Sequence, residues 1–174
     1  HIDSVGYELY MDLLNEAVSE ARGDKIEKDN IDPEINLRIP AMIPESYIGD
    51  IRIRLSYYKA LSEIKNADEL DAIEAELKDQ FGALPEPTVN LMGLMLIRAK
   101  CRELGIRDLS AGPKNLSLLF SERTLVKPEV VIRLAMKENK KYAVTPDNRL
   151  NIRMNEISWP RAYEELVQLE KLAT

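Results

Sequence analysis

The chain has 174 residues with a formal net charge of -6 at pH 7, and 45% of its residues are hydrophobic. This length allows one ordinary domain with its own core and an additional arm. The acidic balance argues against the sequence-independent phosphate attraction that drives most nucleic-acid binding, and the single cysteine, Cys101, excludes an internal disulfide.

No apolar run approaches the roughly 20 residues that a helix needs to span a bilayer. The start of the chain has neither the basic segment nor the apolar segment of a secretion signal. We therefore expect a cytoplasmic protein with no membrane contact.

The first segment has the pattern of an amphipathic helix. Ser4 is a suitable N-cap, leucines follow at helical spacing, and Gly23 is a suitable stop. The next stretch, DKIEKDNID, is charged with few apolar residues, which is typical of a mobile linker. We therefore divide the chain into a helix over residues 1–23, a charged linker over 24–33 and a domain over 34–174.

The domain begins with a predicted strand, because apolar and polar residues alternate over 34–39. Pro40 and Pro44 then fix their own φ angles and keep the chain extended until about Ser46. A charged amphipathic helix is predicted over 50–64. Its predicted apolar stripe consists of Ile51, Leu55, Tyr58 and Leu61.

Two more helices follow in the predicted order. One covers residues 67–81 and ends at Gly82, and Pro87 opens the other. Apolar residues surround the axis of the second over 89–97, which is typical of a helix buried on all sides. We expect it at the centre of the fold.

The second half of the chain predicts strands alternating with helices. The predicted strands cover residues 106–109, 115–121, 142–145 and 149–154, and the predicted helices cover 128–139 and the end of the chain from Trp159. The fold class is therefore α+β: a helical half followed by a small, mostly antiparallel sheet with flanking helices.

The residues that usually carry chemistry are scarce. The only histidine is His1, and neither common phosphate-binding glycine motif is present. A zinc site of cysteine and histidine ligands would need more of them than Cys101 and His1. We therefore expect no catalytic, cofactor or metal site. The composition still allows an enzyme that uses a pair of carboxylates. Such an enzyme would require a deep acidic cleft.

Several motifs occur together in one order. They are IPAMIPESYIGDIRIRLSYYK over residues 39–59, E-L-x-D-x-F-G over 76–82, L-P-E-P over 84–87 and L-G-I-R-x-L over 104–109. In these motifs the chain resembles the C-terminal (TRCF) domain of the bacterial transcription-repair coupling factor. Residues 5–14, VGYELYMDLL, are similar to the helix that leaves the second RecA-like lobe of that family's motor.

The resemblance implies a function. In this family the parent protein is an ATP-dependent double-stranded-DNA translocase that removes stalled RNA polymerase and recruits nucleotide-excision repair. The C-terminal domain is a non-catalytic, autoinhibitory domain that packs on an N-terminal UvrB-like module and masks its UvrA-binding surface. UvrA, RNA polymerase and DNA are then indirect partners, and ATP and Mg²⁺ bind in a motor outside this chain.

The predicted helix over 67–81 carries the candidate contact residues. Its apolar stripe consists of Leu70, Ile73, Leu77 and Phe81. Away from this stripe lie the residues that we name the acidic face: Asp68, Ala72, Ala75, Glu76 and Asp79. By pattern alone this face is either a solvated surface or a contact surface, on which short alanine side chains let a partner's arginines reach the carboxylates. The resemblance implies the second, a contact with the N-terminal module.

An alternative function is an accessory DNA-binding domain that assists the motor. Arg52, Arg54 and Lys59 lie on one predicted helix, and Lys137, Lys140 and Lys141 lie near a predicted turn. Acids intervene between these bases and no aromatic platform accompanies them, a pattern typical of ordinary surface charge.

Overall fold

A computed structural model describes residues 32–173. Its helices are α1 (Ile51–Ser62), α2 (Ala67–Phe81), α3 (Glu86–Leu104), α4 (Pro128–Lys137) and α5 (Trp159–Ala173). Its strands are β1 (Glu34–Asn36), β2 (Ile106–Ala111), β3 (Asn115–Phe120), β4 (Tyr142–Val144) and β5 (Arg149–Arg153). The predicted α+β class is confirmed. The predicted first helix lies outside the described residues, as does most of the linker.

The strands form one five-stranded sheet in the order β1-β2-β3-β5-β4. All neighbours pair antiparallel except β1, which runs parallel to β2 with Ile35 opposite Leu109. The first strand of the domain therefore joins a sheet whose other four strands come later in the sequence, after the first three helices. The sheet is mixed but mostly antiparallel.

The chain divides into two compact units. Among the described residues, the first unit contains 39–95, and the second contains 32–38 together with 96–173. Helix α3 contributes its first half to one unit and its second half to the other. Residues 91–97 of this helix are all buried, which confirms the helix predicted to be buried on all sides.

The sheet of the second unit has one apolar face. The strand residues with 1% exposure or less are Ile106, Leu109, Leu116, Leu118, Leu150 and Ile152. The other face carries a polar network that sequence reasoning missed. Arg149 Nε donates to Ser117 Oγ at 2.6 Å, and the Arg149 guanidinium forms an ion pair with Asp108. This network joins three neighbouring strands.

The second unit begins earlier than the predicted domain. Asp32 forms ion pairs with Arg98 and, at 3.8 Å, with Arg102, both on α3. Pro33 is buried. The last two residues of the predicted linker are therefore held by the second unit.

Cys101 lies on α3 and is fully buried. Burial, together with the nearby Asp108 carboxylate, raises the pKa of the Cys101 thiol to about 12. The thiolate is therefore scarce at neutral pH.

Gly105 ends helix α3 with φ of 76°, and an added Cβ there would lie 2.5 Å from the Thr124 Cα.

The first unit contains an irregular stretch that we name the proline segment, residues 39–49. Its first part bonds to the start of α3. The Met42 N–H donates to the Pro87 carbonyl oxygen at 3.1 Å, and Thr88 Oγ1 donates to the Met42 carbonyl oxygen at 3.0 Å. Asn90 Nδ2 donates to the Pro40 carbonyl oxygen at 3.0 Å. One backbone carbonyl and two side chains thus satisfy backbone groups that no strand partner reaches.

Helix α1 holds the second part of the proline segment. The Ile43 N–H donates to the Tyr58 hydroxyl at 2.8 Å. Arg54 Nη1 donates to the carbonyl oxygens of Ile48 at 2.6 Å and of Gly49 at 3.2 Å. Because these bonds are made by side chains of one helix, they fix the segment against α1.

These bonds correct the stripe predicted for α1. We expected Arg54 away from the buried side, yet it is only 3% exposed. Ile51 and Leu55 are half-buried, whereas Tyr57 is buried beside Tyr58. The buried side includes a charged residue because it faces backbone carbonyl groups that have no strand partner, which hydrophobic periodicity does not detect.

We predict that Arg54→Met destabilises the protein. Methionine keeps much of the volume but leaves the Ile48 and Gly49 carbonyl oxygens without this donor, and hydrogen bonds from charged donors are each worth about 1.5–3 kcal/mol. The free energy of unfolding, measured by urea titration, should fall by about 3 kcal/mol or more. The exposed neighbour provides the control, since Arg52→Met should cost less than about 0.5 kcal/mol. Equal losses in both variants would contradict this assignment.

Candidate interaction surface on helix α2

Both ends of α2 are fixed by local hydrogen bonds. Asn66 Oδ1 accepts from the Glu69 N–H at 2.9 Å, and Glu69 Oε2 accepts from the Lys65 N–H at 2.6 Å, a reciprocal arrangement close to a capping box. At the other end Gly82 has φ of 87° and donates its N–H to the Lys78 carbonyl oxygen at 3.0 Å. These caps explain why the helix covers the predicted residues 67–81.

One side of α2 is buried in the first unit, where the helix contacts α1. Leu77 has 0% and Leu70 has 7% exposure, and Ile73 and Phe81 are half-buried. The predicted apolar stripe is confirmed. It determines which residues can face outward.

The acidic face lies on the other side of the helix. All five predicted residues, Asp68, Ala72, Ala75, Glu76 and Asp79, are exposed. At about 100° per residue, Asp68 and Asp79 lie directly opposite the buried leucines. The two alanines lie beside them, so no long side chain stands between these carboxylates and an approaching surface.

Glu76 has a second role that the pattern did not reveal. The Tyr57 hydroxyl donates to Glu76 Oε1 at 2.8 Å. Burial, with this hydrogen bond to Glu76, raises the pKa of Tyr57 to about 12. Glu76 therefore lies on the flank of α2 nearest α1, with its carboxylate held from inside the unit.

The end of α2 that carries Asp79 is fixed to the proline segment. The Tyr47 hydroxyl donates to the Gly82 carbonyl oxygen at 2.8 Å, with the Leu77 carbonyl oxygen at 3.2 Å. The Tyr47 ring lies 5.9 Å from the Phe81 ring between centroids, and the Tyr57 ring meets the same phenylalanine edge-on at 6.1 Å. The last turn is therefore held in place by aromatic side chains.

The charge of α2 is strongly negative. The helix contains six acids and one base, and that base, Lys78, forms an ion pair with Glu74 at 2.8 Å. Within residues 32–173, neither Asp68 nor Asp79 has an ion-pair partner. The acidic face thus offers two unpaired carboxylates to a cationic partner.

The basic residues of the alternative function are not arranged as predicted. Arg52 and Lys59 are exposed, but Arg54 is buried and bonded to backbone carbonyl oxygens. Lys141, near the predicted turn, forms an ion pair with Glu165 at 3.0 Å. The predicted cluster on α1 is therefore reduced to two side chains.

The described part of the chain contains no group of three or more histidine, cysteine, aspartate or glutamate side chains that could hold a metal ion. Among the helices of residues 32–173, none is both long enough and apolar enough to cross a membrane.

Comparison with known proteins adds the following findings. A sequence model of the TRCF domain matches residues 37–131. The transcription-repair-coupling factor of Escherichia coli (strain K12) is 31% identical over 172 residues, covering 93% of this chain and 15% of that protein. The same-named protein of Haemophilus influenzae is 37% identical over 141 residues, covering 79% of this chain and 12% of that protein. This chain thus spans only a small fraction of these relatives.

A solved structure shares the fold. The crystal structure of the C-terminal domain of a transcription-repair coupling factor has a TM-score of 0.67, with 19% sequence identity. The match covers 82% of this chain and 91% of that chain. At this identity the likeness shows a common fold.

We predict that Tyr57→Phe weakens the support of the acidic face. The variant keeps the ring contact with Phe81 and loses only the hydroxyl bonds to Glu76 and, at 3.4 Å, to Gln80. Because Glu76 is exposed, the unfolding free energy should fall by about 0.5–1.5 kcal/mol. Tyr163→Phe is the matched control, since this half-buried tyrosine on α5 has no hydroxyl bond among the described residues. A loss no larger than in the control would show that the bond contributes nothing.

Proposed function

The chain belongs to the TRCF domain family, and we propose that it is a non-catalytic regulatory domain of an ATP-dependent DNA translocase that couples transcription to excision repair. Support comes from relatives named transcription-repair-coupling factor, of which this chain matches only 12–15% of the length. Motor activity, with ATP and Mg²⁺, then belongs to other parts of the parent protein.

The proposed partner is the N-terminal UvrB-like module of the same parent, which the acidic face would cover. One observation supports this most directly: Asp68 and Asp79 are exposed and lack ion-pair partners within the described residues, on a helix capped at both ends. A rigid helix presents both carboxylates with little loss of conformational freedom on binding.

The small side chains of this surface strengthen the argument. Ala72 and Ala75 project little, so arginines of a partner can reach the neighbouring carboxylates and the contact can exclude water. An exposed ion pair contributes only about 0.2–1 kcal/mol, and a covered one can contribute more. The interface is therefore proposed to be specific but modest in energy.

A modest interface suits a switch. Both partners belong to one polypeptide, so the effective concentration of the blocking domain is high even when each contact is weak. Engagement of RNA polymerase or DNA need only favour the open arrangement by a few kcal/mol to expose the UvrA-binding surface. The proposed function of this domain is thus autoinhibition.

The three carboxylates of the acidic face differ in their hydrogen bonds. Glu76 is bonded to Tyr57, so its replacement disturbs the first unit as well as the surface. Asp68 and Asp79 carry no such bond. They are therefore the residues with which the interface is best tested.

We predict that Asp68→Lys together with Asp79→Lys, made in the full-length parent protein, opens the closed form. Two lost contacts and two new repulsions, taken at about 1–2 kcal/mol together, should raise apparent UvrA affinity about 5- to 30-fold. ATP turnover without DNA should increase in parallel. Surface plasmon resonance and a steady-state ATPase assay measure the two effects.

The control is Glu164→Lys, which reverses an exposed acid on α5. It should leave UvrA affinity and ATP turnover unchanged, since it lies outside the acidic face. Unchanged UvrA affinity and turnover in the double variant would rule out this interface.

The alternative, an accessory DNA-binding domain, has less support because Arg54 is buried and the chain is acidic overall. We predict that the chain does not shift duplex DNA in a gel at low salt. Binding that weakens steeply with salt and is lost in Arg52→Ala with Lys59→Ala would favour the alternative.

A further inference from the structure

Helix α4, in the second unit, exposes apolar side chains that no described residue covers. Its inner side contains the buried Leu134, and the helix packs against strand β4. On its outer side Ile132 is 54% and Met136 is 74% exposed. At spacing i, i+4 these two residues share one face of the helix. The exposed apolar surface therefore consists of two neighbouring side chains in the helix interior.

Two further apolar side chains are exposed in segments next to α4. Leu125, just before α4, is 58% exposed, and Val144, on β4, is 46% exposed. Methionine is flexible and adapts to different partner surfaces, which makes Met136 a suitable anchor. Exposed apolar side chains grouped in this way usually mark an interaction site.

Bases outnumber acids in and around α4, although the exposed acid Glu129 lies at i, i+3 from Ile132. Residues 127–141 contain five bases and two acids, in a chain whose net charge is -6. Four of the bases, Lys127, Arg133, Lys137 and Lys140, are exposed and have no ion-pair partner within the described residues. We name Ile132, Met136 and these four bases the α4 surface.

We propose that the α4 surface binds an acidic amphipathic helix of a partner protein. Ile132 and Met136 would pack against the apolar stripe of the partner helix. The carboxylates of the partner helix would pair with the four bases of the α4 surface. A helix fits better than a strand, because the exposed edge strand β4 has only three residues, Tyr142–Val144, and offers few backbone bonds to a strand.

Charge also distinguishes this occupant from others. A second copy paired by two-fold symmetry would bring the four bases against their own equivalents, which repel. Long polyanions such as DNA, or an anionic membrane, would also meet the acids of the rest of the chain. A short acidic helix carries its charge only where the bases lie. This inference concerns the second unit and does not depend on the acidic face of α2.

The test uses the full 174-residue chain and a synthetic helical peptide of 18 residues with leucines at i, i+4 flanked by glutamates. Fluorescence anisotropy should show saturable binding that weakens as salt is raised. Ile132→Ser with Met136→Ser should weaken binding about tenfold or more, since apolar anchors dominate small interfaces. Arg133→Glu with Lys137→Glu should weaken it by a similar factor.

Matched controls make the result specific. Ile53→Ser with Leu172→Ser removes two exposed apolar side chains from other helices and should leave affinity unchanged. A peptide with lysine in place of glutamate should not bind. Circular dichroism melting confirms that each variant folds, which is expected because the substituted side chains are exposed.

The proposal is overturned if the acidic peptide fails to bind, or if it binds the α4 variants as tightly as the unchanged chain. It is also overturned if a scrambled peptide binds equally, or if sedimentation shows a dimer that the same substitutions dissolve. Binding of duplex DNA or anionic vesicles through these residues, without peptide binding, would assign the surface to a phosphate-bearing partner instead.

Discussion

The first unit depends on hydrogen bonds to the backbone of the proline segment. Prolines prevent this stretch from forming a helix, and it has no strand partner, so its carbonyl and N–H groups need other donors and acceptors. Arg54, Tyr58 and Thr88 supply them from two helices. A buried arginine on a helix that otherwise looks amphipathic is the result of this requirement.

The same segment positions the proposed interaction surface. Its Tyr47 bonds to the end of α2 and packs on Phe81, while Tyr57 of α1 holds Glu76 on the flank of α2. The helix is thus fixed by bonds on its inner side, and the carboxylates opposite are left exposed. A surface prepared in this way loses little freedom when a partner covers it, which suits a weak contact within one polypeptide.

The sequence predicted every strand and helix among residues 32–173, because hydrophobic period, proline and glycine act locally. The bounds of α2 agree because its caps involve neighbouring residues such as Asn66 and Glu69. The pairing of β1 with β2 and the burial of Arg54 were not predicted, since both depend on contacts between residues distant along the chain. Within the site, the exposure of the acidic face followed from periodicity, whereas the bond from Tyr57 to Glu76 required the packing of two helices.

The central claim is that this domain covers the N-terminal UvrB-like module through charge complementarity. Its most direct test is isothermal titration of the present chain with the separately produced module of its parent, at low and at moderate ionic strength, with and without UvrA. The account predicts a one-to-one complex that weakens as salt rises and that UvrA prevents. Absence of a complex at low salt, or a complex that accepts UvrA without loss, would contradict it.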